Sequence, residues 1–147
     1  MRRLSRNRLK RLVDGDAVKK AVEEAERETS GEVRVAVSRF FWGSVDKAAR
    51  RAFVRLSMDR TELRNGVLFF VVPSRKRFVV LGDEGIHQAV GQDFWDFLAE
   101  TLSGYFKKKA FTEGIVHGVR EAGRLLKEHF PRAPDDVNEL PDEVDYE

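Results

Sequence analysis

The sequence predicts an α/β protein in which helices flank a small mixed central sheet, forming a three-layer α/β/α sandwich. Two apolar patterns predict strands: valines alternate with other residues over 33–37, and residues 67–72 form an uninterrupted apolar run. Between them, residues 45–56 repeat apolar side chains at helical spacing. A strand, a helix and a strand in this order predict a βαβ unit, which places two parallel strands in one sheet.

The run over 67–72 should be the central strand, because it is apolar on both faces, as expected where helices cover both sides of a sheet. Pro73 ends this strand by removing a donor from the ladder of hydrogen bonds. Residues 74–77 are too few for a crossover, so residues 78–81 must return antiparallel as a β-hairpin. The sheet is therefore predicted to be mixed.

Four helices are predicted around this sheet. The first starts at an Asp16 N-cap and the second at a Ser44 N-cap, since short polar side chains satisfy the first free N–H groups of a helix. Two more helices follow the hairpin, the second of them from about Thr112, and its glycines should let it lie close to a neighbour. Pro131 and Pro134 are expected to end the ordered part.

Length and charge predict one domain between two charged ends. With 147 residues, the chain can bury one sizeable core. We divide it into a basic N-terminal segment (1–14), an α/β domain (15–131) and an acidic C-terminal tail (132–147). Residues 1–12 carry only basic charges and residues 135–147 only acidic ones, so the ends either are solvated or pair with each other.

Composition excludes several classes of protein. The chain has no cysteine, which excludes disulfides, thiolate zinc sites and cysteine nucleophiles. No apolar run reaches the roughly 20 residues of a membrane-spanning helix, and the N-terminal segment lacks the apolar stretch of a secretory signal. A soluble protein of the cytoplasm is the expectation.

Three motifs in the predicted order resemble the TPM domain family. They are residues 25–33 (AERETSGEV), residues 65–68 (NGVL), and residues 82–86 (GDEGI) leading into a helix. The resemblance covers about residues 15–131, and the end of the chain looks like the short soluble branch of the family. It implies an α/β sandwich and the functions known in different members: acid phosphatase activity, photosystem repair, divalent-metal binding and receptor-associated roles.

The function that the sequence favours is that of a protein- or divalent-metal-binding module with little or no catalysis. The alternative is a metal-dependent acid phosphatase acting on phosphomonoesters, although the chain has no phosphoaspartate loop, Arg-His-Gly motif or Walker loop. A second alternative is binding of an anionic membrane surface or nucleic acid through residues 1–12, because clustered Lys and Arg attract phosphate groups. A solvated or self-associating helix is the competing interpretation of that segment.

The candidate site is the glycine loop that follows the hairpin. Asp83 and Glu84, with Asp93 beyond them, would bind calcium or magnesium through oxygen ligands. The same acidic residues also suit a helix start, so capping is the competing interpretation. A loop between a strand end and a helix N-terminus is a common place for ligands in α/β sheets. The further binding-loop residues are Asn65, Gly66, Gly82, Gly85 and His87.

Two arginines complete the candidate site. Arg60 and Arg64 would stabilise the charge of a phosphate group in the phosphatase alternative. The chain departs from the family at this point, since relatives often carry an acidic residue where it has Arg64. A cation there would repel a metal ion.

Overall fold

The computed structural model describes residues 4–40, 42–134 and 136–147, and contains one mixed sheet flanked by helices. Arg2, Arg3 and Asp135, which contribute to the charged ends, lie outside the described residues. The helices are α1 (Arg6–Leu12), α2 (Gly15–Glu26), α3 (Val45–Arg55), α4 (Glu84–Val90), α5 (Gln92–Lys107) and α6 (Phe111–His129), and the strands are β1 (Glu32–Val37), β2 (Gly66–Val72), β3 (Arg77–Gly82) and β4 (Asp145–Tyr146).

The strands follow the order β3-β2-β1-β4 across the sheet. β1 and β2 run parallel, with Val33 opposite Val67, because α3 carries the chain across the sheet between them. β2 and β3 run antiparallel, with Phe70 opposite Val79. These pairings confirm the predicted βαβ unit, the β-hairpin and the position of β2 inside the sheet.

β2 supplies core side chains to both faces of the sheet, since successive side chains of a strand point to opposite faces. Phe69 is buried among residues of α2, α5 and α6, whereas Phe70 is buried among residues of α3. Every residue of β2 is buried. The three-layer α/β/α sandwich predicted from the sequence is therefore confirmed.

Two helix boundaries differ from the sequence predictions. The N-cap of α2 is Asp14, whose carboxylate accepts hydrogen bonds from the backbone N–H groups of Asp16 and Ala17 at 3.0 and 3.2 Å. The predicted Asp16 cap is therefore wrong, although the Ser44 cap of α3 is confirmed by its bond to the Lys47 N–H. After the hairpin the described residues form three helices where two were predicted, because Gly91, with a φ of +77°, divides the first predicted helix into α4 and α5.

The C-terminal segment belongs to the fold. β4 pairs in parallel with β1, with Tyr146 opposite Val37. The Tyr146 hydroxyl donates a hydrogen bond of 2.9 Å to the carbonyl oxygen of Val13, and Arg55 forms an ion pair of 2.9 Å with Asp145. The expectation that the ordered part ends at the prolines after α6 is therefore wrong. The sequence does not predict β4, because a strand of two residues is too short to show an apolar period.

α1 attaches the basic N-terminal segment to the core. Leu9 and Val13 are fully buried in the larger apolar cluster, and the ammonium of Lys10 lies 5.7 Å from the centre of the Tyr146 ring. The apolar side of this segment is therefore occupied by its own domain. In the described part of the chain, every helix is too short or too polar to cross a membrane.

α6 approaches α2 very closely at a glycine. A Cβ atom added at Gly123 would lie 2.7 Å from the Cβ of Ala25, so even a methyl group does not fit without movement of one helix. This contact confirms the close approach predicted from the glycines of the last helix.

We expect Gly123→Ala to destabilise the protein by about 1–3 kcal/mol, because the added methyl group overpacks the contact between α2 and α6. Gly104→Ala in α5 is the matched control, since nothing lies within 4 Å of its added Cβ. Ala favours a helix over Gly by about 1 kcal/mol, so the control should stabilise. Urea unfolding followed by circular dichroism measures both, and equal stabilisation by the two substitutions would contradict the close approach.

Candidate functional site

The loop predicted as a metal site is held together by an ion pair between Asp83 and Arg64. The Arg64 Nε and Nη2 atoms donate to Asp83 Oδ2 and Oδ1 at 2.6 and 3.0 Å, and Asp83 Oδ1 also accepts from the Glu84 N–H at 2.8 Å. The bond to Asp83 raises the pKa of Arg64. Because both oxygens of the buried Asp83 are engaged, this carboxylate acts as the cap of α4 and the anchor of Arg64.

Close packing explains the glycines of this loop. A Cβ atom added at Gly85 would lie 2.6 Å from the carbonyl oxygen of Leu63, and one added at Gly66 would lie 2.7 Å from that of Met58. The Gly85 N–H also donates to the Arg64 carbonyl at 2.9 Å. These glycines are therefore needed where backbone segments meet, whether or not a ligand binds.

The other predicted site residues do not converge. Glu84, His87, Asp93 and Arg60 are exposed, and among the described residues no group of three or more His, Asp or Glu side chains is arranged to hold a metal ion. Gly82 packs against Trp95. The binding of calcium or magnesium at Asp83, Glu84 and Asp93 stays a prediction that the geometry does not favour.

Asn65 connects the predicted loop to a second candidate site, which is a pocket. It is buried, and its side-chain nitrogen lies 3.4 Å from the hydroxyl of Ser30. Ser30 lines a pocket of about 320 Å³ between the end of α2, the start of β1 and the C-terminal segment. Other residues that line the pocket are Glu26, Arg27, Glu32, Arg132, Asn138 and Asp142.

Two buried carboxyl groups are the main feature of this pocket. Glu26 is 7% exposed and Glu32 is 2% exposed. Glu26 Oε2 accepts from the Val33 N–H at 2.8 Å, and Glu32 Oε1 accepts from the Glu139 N–H at 2.6 Å. When both carboxyl groups are ionised, their other oxygens, Glu26 Oε1 and Glu32 Oε2, are buried and accept no hydrogen bond from any described residue. We call these two residues the carboxyl pair.

Burial changes the acidity of the carboxyl pair. It raises the pKa of Glu26 far above its usual range, and a hydrogen bond with Asp142 raises it further. Burial also raises the pKa of Glu32, although its bonds to the Glu139 N–H and to Glu26 oppose that shift. Without a cation, Glu26 therefore holds a proton at neutral pH and donates it to a neighbouring carboxylate.

The strap, which we define as residues 136–147, closes one side of the pocket. Its Glu139 N–H bonds to Glu32, and Asn138 and Asp142 line the wall. Just before the strap, Arg132 donates to the carbonyl oxygens of Glu26 and Asp136 at 3.2 and 3.0 Å. Segments more than 100 residues apart in sequence therefore build this site together.

Sequence reasoning missed the carboxyl pair as a site. Glu26 continues the buried stripe of α2, because Val18, Val22 and Glu26 are four residues apart and all buried. A charged residue on an apolar stripe was the available signal, and Glu26 and Glu32 both lie inside the motif at residues 25–33. No pattern in the neighbouring sequence predicts that the Glu139 N–H in the strap donates to Glu32.

We expect Asp83→Ala to lower the free energy of unfolding by about 1–2 kcal/mol, because it removes the cap of α4 and leaves Arg64 without its partner. Glu84→Ala, one residue along on an exposed position, is the control and should cost under about 1 kcal/mol. Chemical denaturation measures both. A larger cost for the Glu84 substitution would contradict the structural role given to Asp83.

We expect Glu26→Gln to stabilise the cation-free protein at neutral pH. The folded-state pKa of Glu26 lies above its unfolded value, so the stability that this residue contributes is present below about pH 4.5 and is lost as the pH rises toward the folded-state pKa. Gln imitates the protonated group and has no such dependence. The advantage of the variant should therefore grow with pH, by up to about 1.4 kcal/mol per unit.

Unfolding in a chelating buffer at pH 5, 7 and 9 measures this effect. Glu23→Gln, one helical turn earlier on an exposed position, controls for a general change of charge. Parallel pH profiles for the wild type and Glu26→Gln would show that Glu26 titrates normally.

Comparison with known proteins supports the family resemblance. The sequence profile of the TPM domain matches residues 11–125, and no curated protein matches the chain. The NMR structure of the BA42 protein from the psychrophilic bacterium Bizionia argentinensis is similar over 91% of this chain and 92% of its own, with 38% sequence identity and a TM-score of 0.84. The chain thus belongs to the TPM domain family.

Proposed function

We propose that the protein is a divalent-cation-binding TPM module, with little or no catalysis, and that the cation binds at the carboxyl pair. The observation that carries the proposal is the pair of buried oxygens, Glu26 Oε1 and Glu32 Oε2, which accept no hydrogen bond from the described residues when both groups are ionised. Both glutamates line the pocket. Two such groups need either a proton or a cation between them.

The chemistry of the donors fits magnesium or calcium. Mg²⁺ is commonly bound through one or two carboxylates and keeps several waters, and Ca²⁺ also accepts amide and backbone carbonyl oxygens. Glu26 and Glu32 supply the carboxylates, and Asn138 supplies an amide in the same pocket. The proton held by Glu26 would have to leave when the cation binds, so binding should release a proton.

This proposal moves the cation from the loop predicted first. At that loop Asp83 is engaged by Arg64, whereas at the carboxyl pair two acidic groups share a pocket with unsatisfied oxygens. Arg64 occupies a position where relatives often carry an acidic residue. Its guanidinium donates a hydrogen bond to Asp83 and would repel a cation there. The two locations make opposite predictions for the same set of variants.

A calorimetric titration of magnesium, then calcium, into chelator-treated protein tests the proposal. We expect saturable binding in the wild type, at least about tenfold weaker binding in Glu26→Gln and in Glu32→Gln, and unchanged binding in a Glu84→Gln/Asp93→Asn control. Repeating the titration in two buffers of different ionisation enthalpy counts the released proton.

Three results would overturn the proposal. Absence of binding at millimolar metal would exclude the cation, and unchanged affinity in both pocket variants would exclude the pocket. Loss of binding in the Glu84→Gln/Asp93→Asn control alone would return the site to the loop after β3.

Metal-dependent hydrolysis of phosphomonoesters is the second candidate function. It is favoured by Arg27 and Arg132, which line the same pocket as the carboxyl pair and would attract a phosphate group. A bound metal would supply polarisation of the phosphate and a more acidic water. Chelator-sensitive turnover of a generic phosphomonoester that is lost in Glu32→Gln would support this function, and no turnover across metals and acidic pH would leave the binding module.

A further inference from the structure

The outer edge of β3 is open. In the described residues the sheet ends at β3, since no segment pairs with its other side. The Asp83 N–H donates to the Gly66 carbonyl on β2 at 2.9 Å, which fixes the alternation of the ladder. By that alternation, Phe78, Val80 and Gly82 direct their N–H and C=O groups away from β2.

Beyond the exposed Arg77 at its start, β3 lacks the usual protection of an edge strand against pairing. Natural sheets protect an edge with charged side chains, proline or a β-bulge. Residues 78–82 (FVVLG) contain no charge and no proline, and the register with β2 is unbroken from Val67 opposite Gly82 to Val72 opposite Arg77. The edge is therefore regular and competent to accept another strand.

The charges at the two ends of β3 are opposite. Lys76 and Arg77 are exposed where the strand begins, and Glu84 is exposed just after Asp83 where it ends. An antiparallel second copy of the same strand would bring basic residues of one copy to acidic residues of the other at both ends. Such a surface is complementary to itself, as a twofold symmetric dimer requires.

We propose that two copies of the protein pair through the edges of β3, antiparallel, to form one sheet that runs through both. Because Phe78, Val80 and Gly82 carry the outward groups, the twofold axis passes beside Val80. Val80 then faces Val80 of the second copy, and Phe78 faces Gly82 of the second copy. Lys76 lies just before β3 and Glu84 just after it, so this register brings Lys76 of one copy to the same end of the interface as Glu84 of the other.

Apolar groups beside the edge support this partner. Val54 of α3 is 62% exposed, and it lines a shallow groove with Phe53, Leu81 and Gly82 along one face of the sheet at β3. In the proposed register Val79 of the second copy faces Leu81 next to this groove. The pairing would therefore cover apolar surface as well as backbone groups.

Sedimentation velocity of the full chain over a concentration series tests the pairing. We expect a reversible dimer in the wild type. Lys76→Glu and Glu84→Lys should each weaken it by about tenfold, because each brings like charges together at both ends of the interface. The double variant Lys76→Glu/Glu84→Lys restores opposite charges and should restore the dimer.

Val80→Pro provides an independent test, because proline removes an outward N–H and is tolerated on the free side of an edge strand. Val80→Thr keeps the N–H and is the control. We expect Val80→Pro to abolish the dimer while its circular dichroism remains that of a folded protein, and Val80→Thr to retain it. A wild type that stays monomeric at every concentration, a dimer indifferent to the charge variants, or binding of an extended peptide of other sequence with no dimer would overturn the proposal.

Discussion

The carboxyl group of Glu26 is the constraint on which much of the structure depends. It lies at the end of α2 and accepts the N–H of Val33 at the start of β1, so it connects a helix of one layer to the sheet. As an ionised group, Glu26 is costly to bury, because its second oxygen accepts no hydrogen bond from the described residues. A proton or a cation must therefore neutralise the Glu26 carboxylate. This requirement makes the pocket around Glu26 a candidate binding site.

The C-terminal segment links the pocket to the outer edge of β1, where β4 pairs, and to the end of α1. Arg132 donates to the backbone carbonyl of Glu26, and the Glu139 N–H donates to the Glu32 carboxyl group. The chain then continues to β4, where the Tyr146 hydroxyl donates to the carbonyl of Val13 after α1. One segment therefore closes the pocket, covers the edge of β1 and holds the N-terminal helix. On the far side of the sheet, no segment of the described residues pairs with the outer edge of β3.

Local patterns were sufficient for most of the fold. The two apolar faces of β2, the short connection before β3 and the helical spacing of α3 each follow from neighbouring residues, and the family motifs lie on these elements. The site needed contacts between distant residues: Arg64 is 19 residues from Asp83, and Glu139 is 107 residues from Glu32. Acidic residues near glycines predicted a ligand loop, but the same pattern is what a capped helix start requires. β4 has too few residues to show any period.

The protonation state of the carboxyl pair is the most direct test of this account. Carbon-detected NMR of the glutamate side chains, recorded as a pH titration on chelator-treated protein, reports each carboxyl group separately. The account predicts that Glu26 remains protonated above pH 7 and loses its proton when magnesium is added. Titration of both Glu26 and Glu32 near the ordinary value of 4.5, with no response to magnesium, would contradict it.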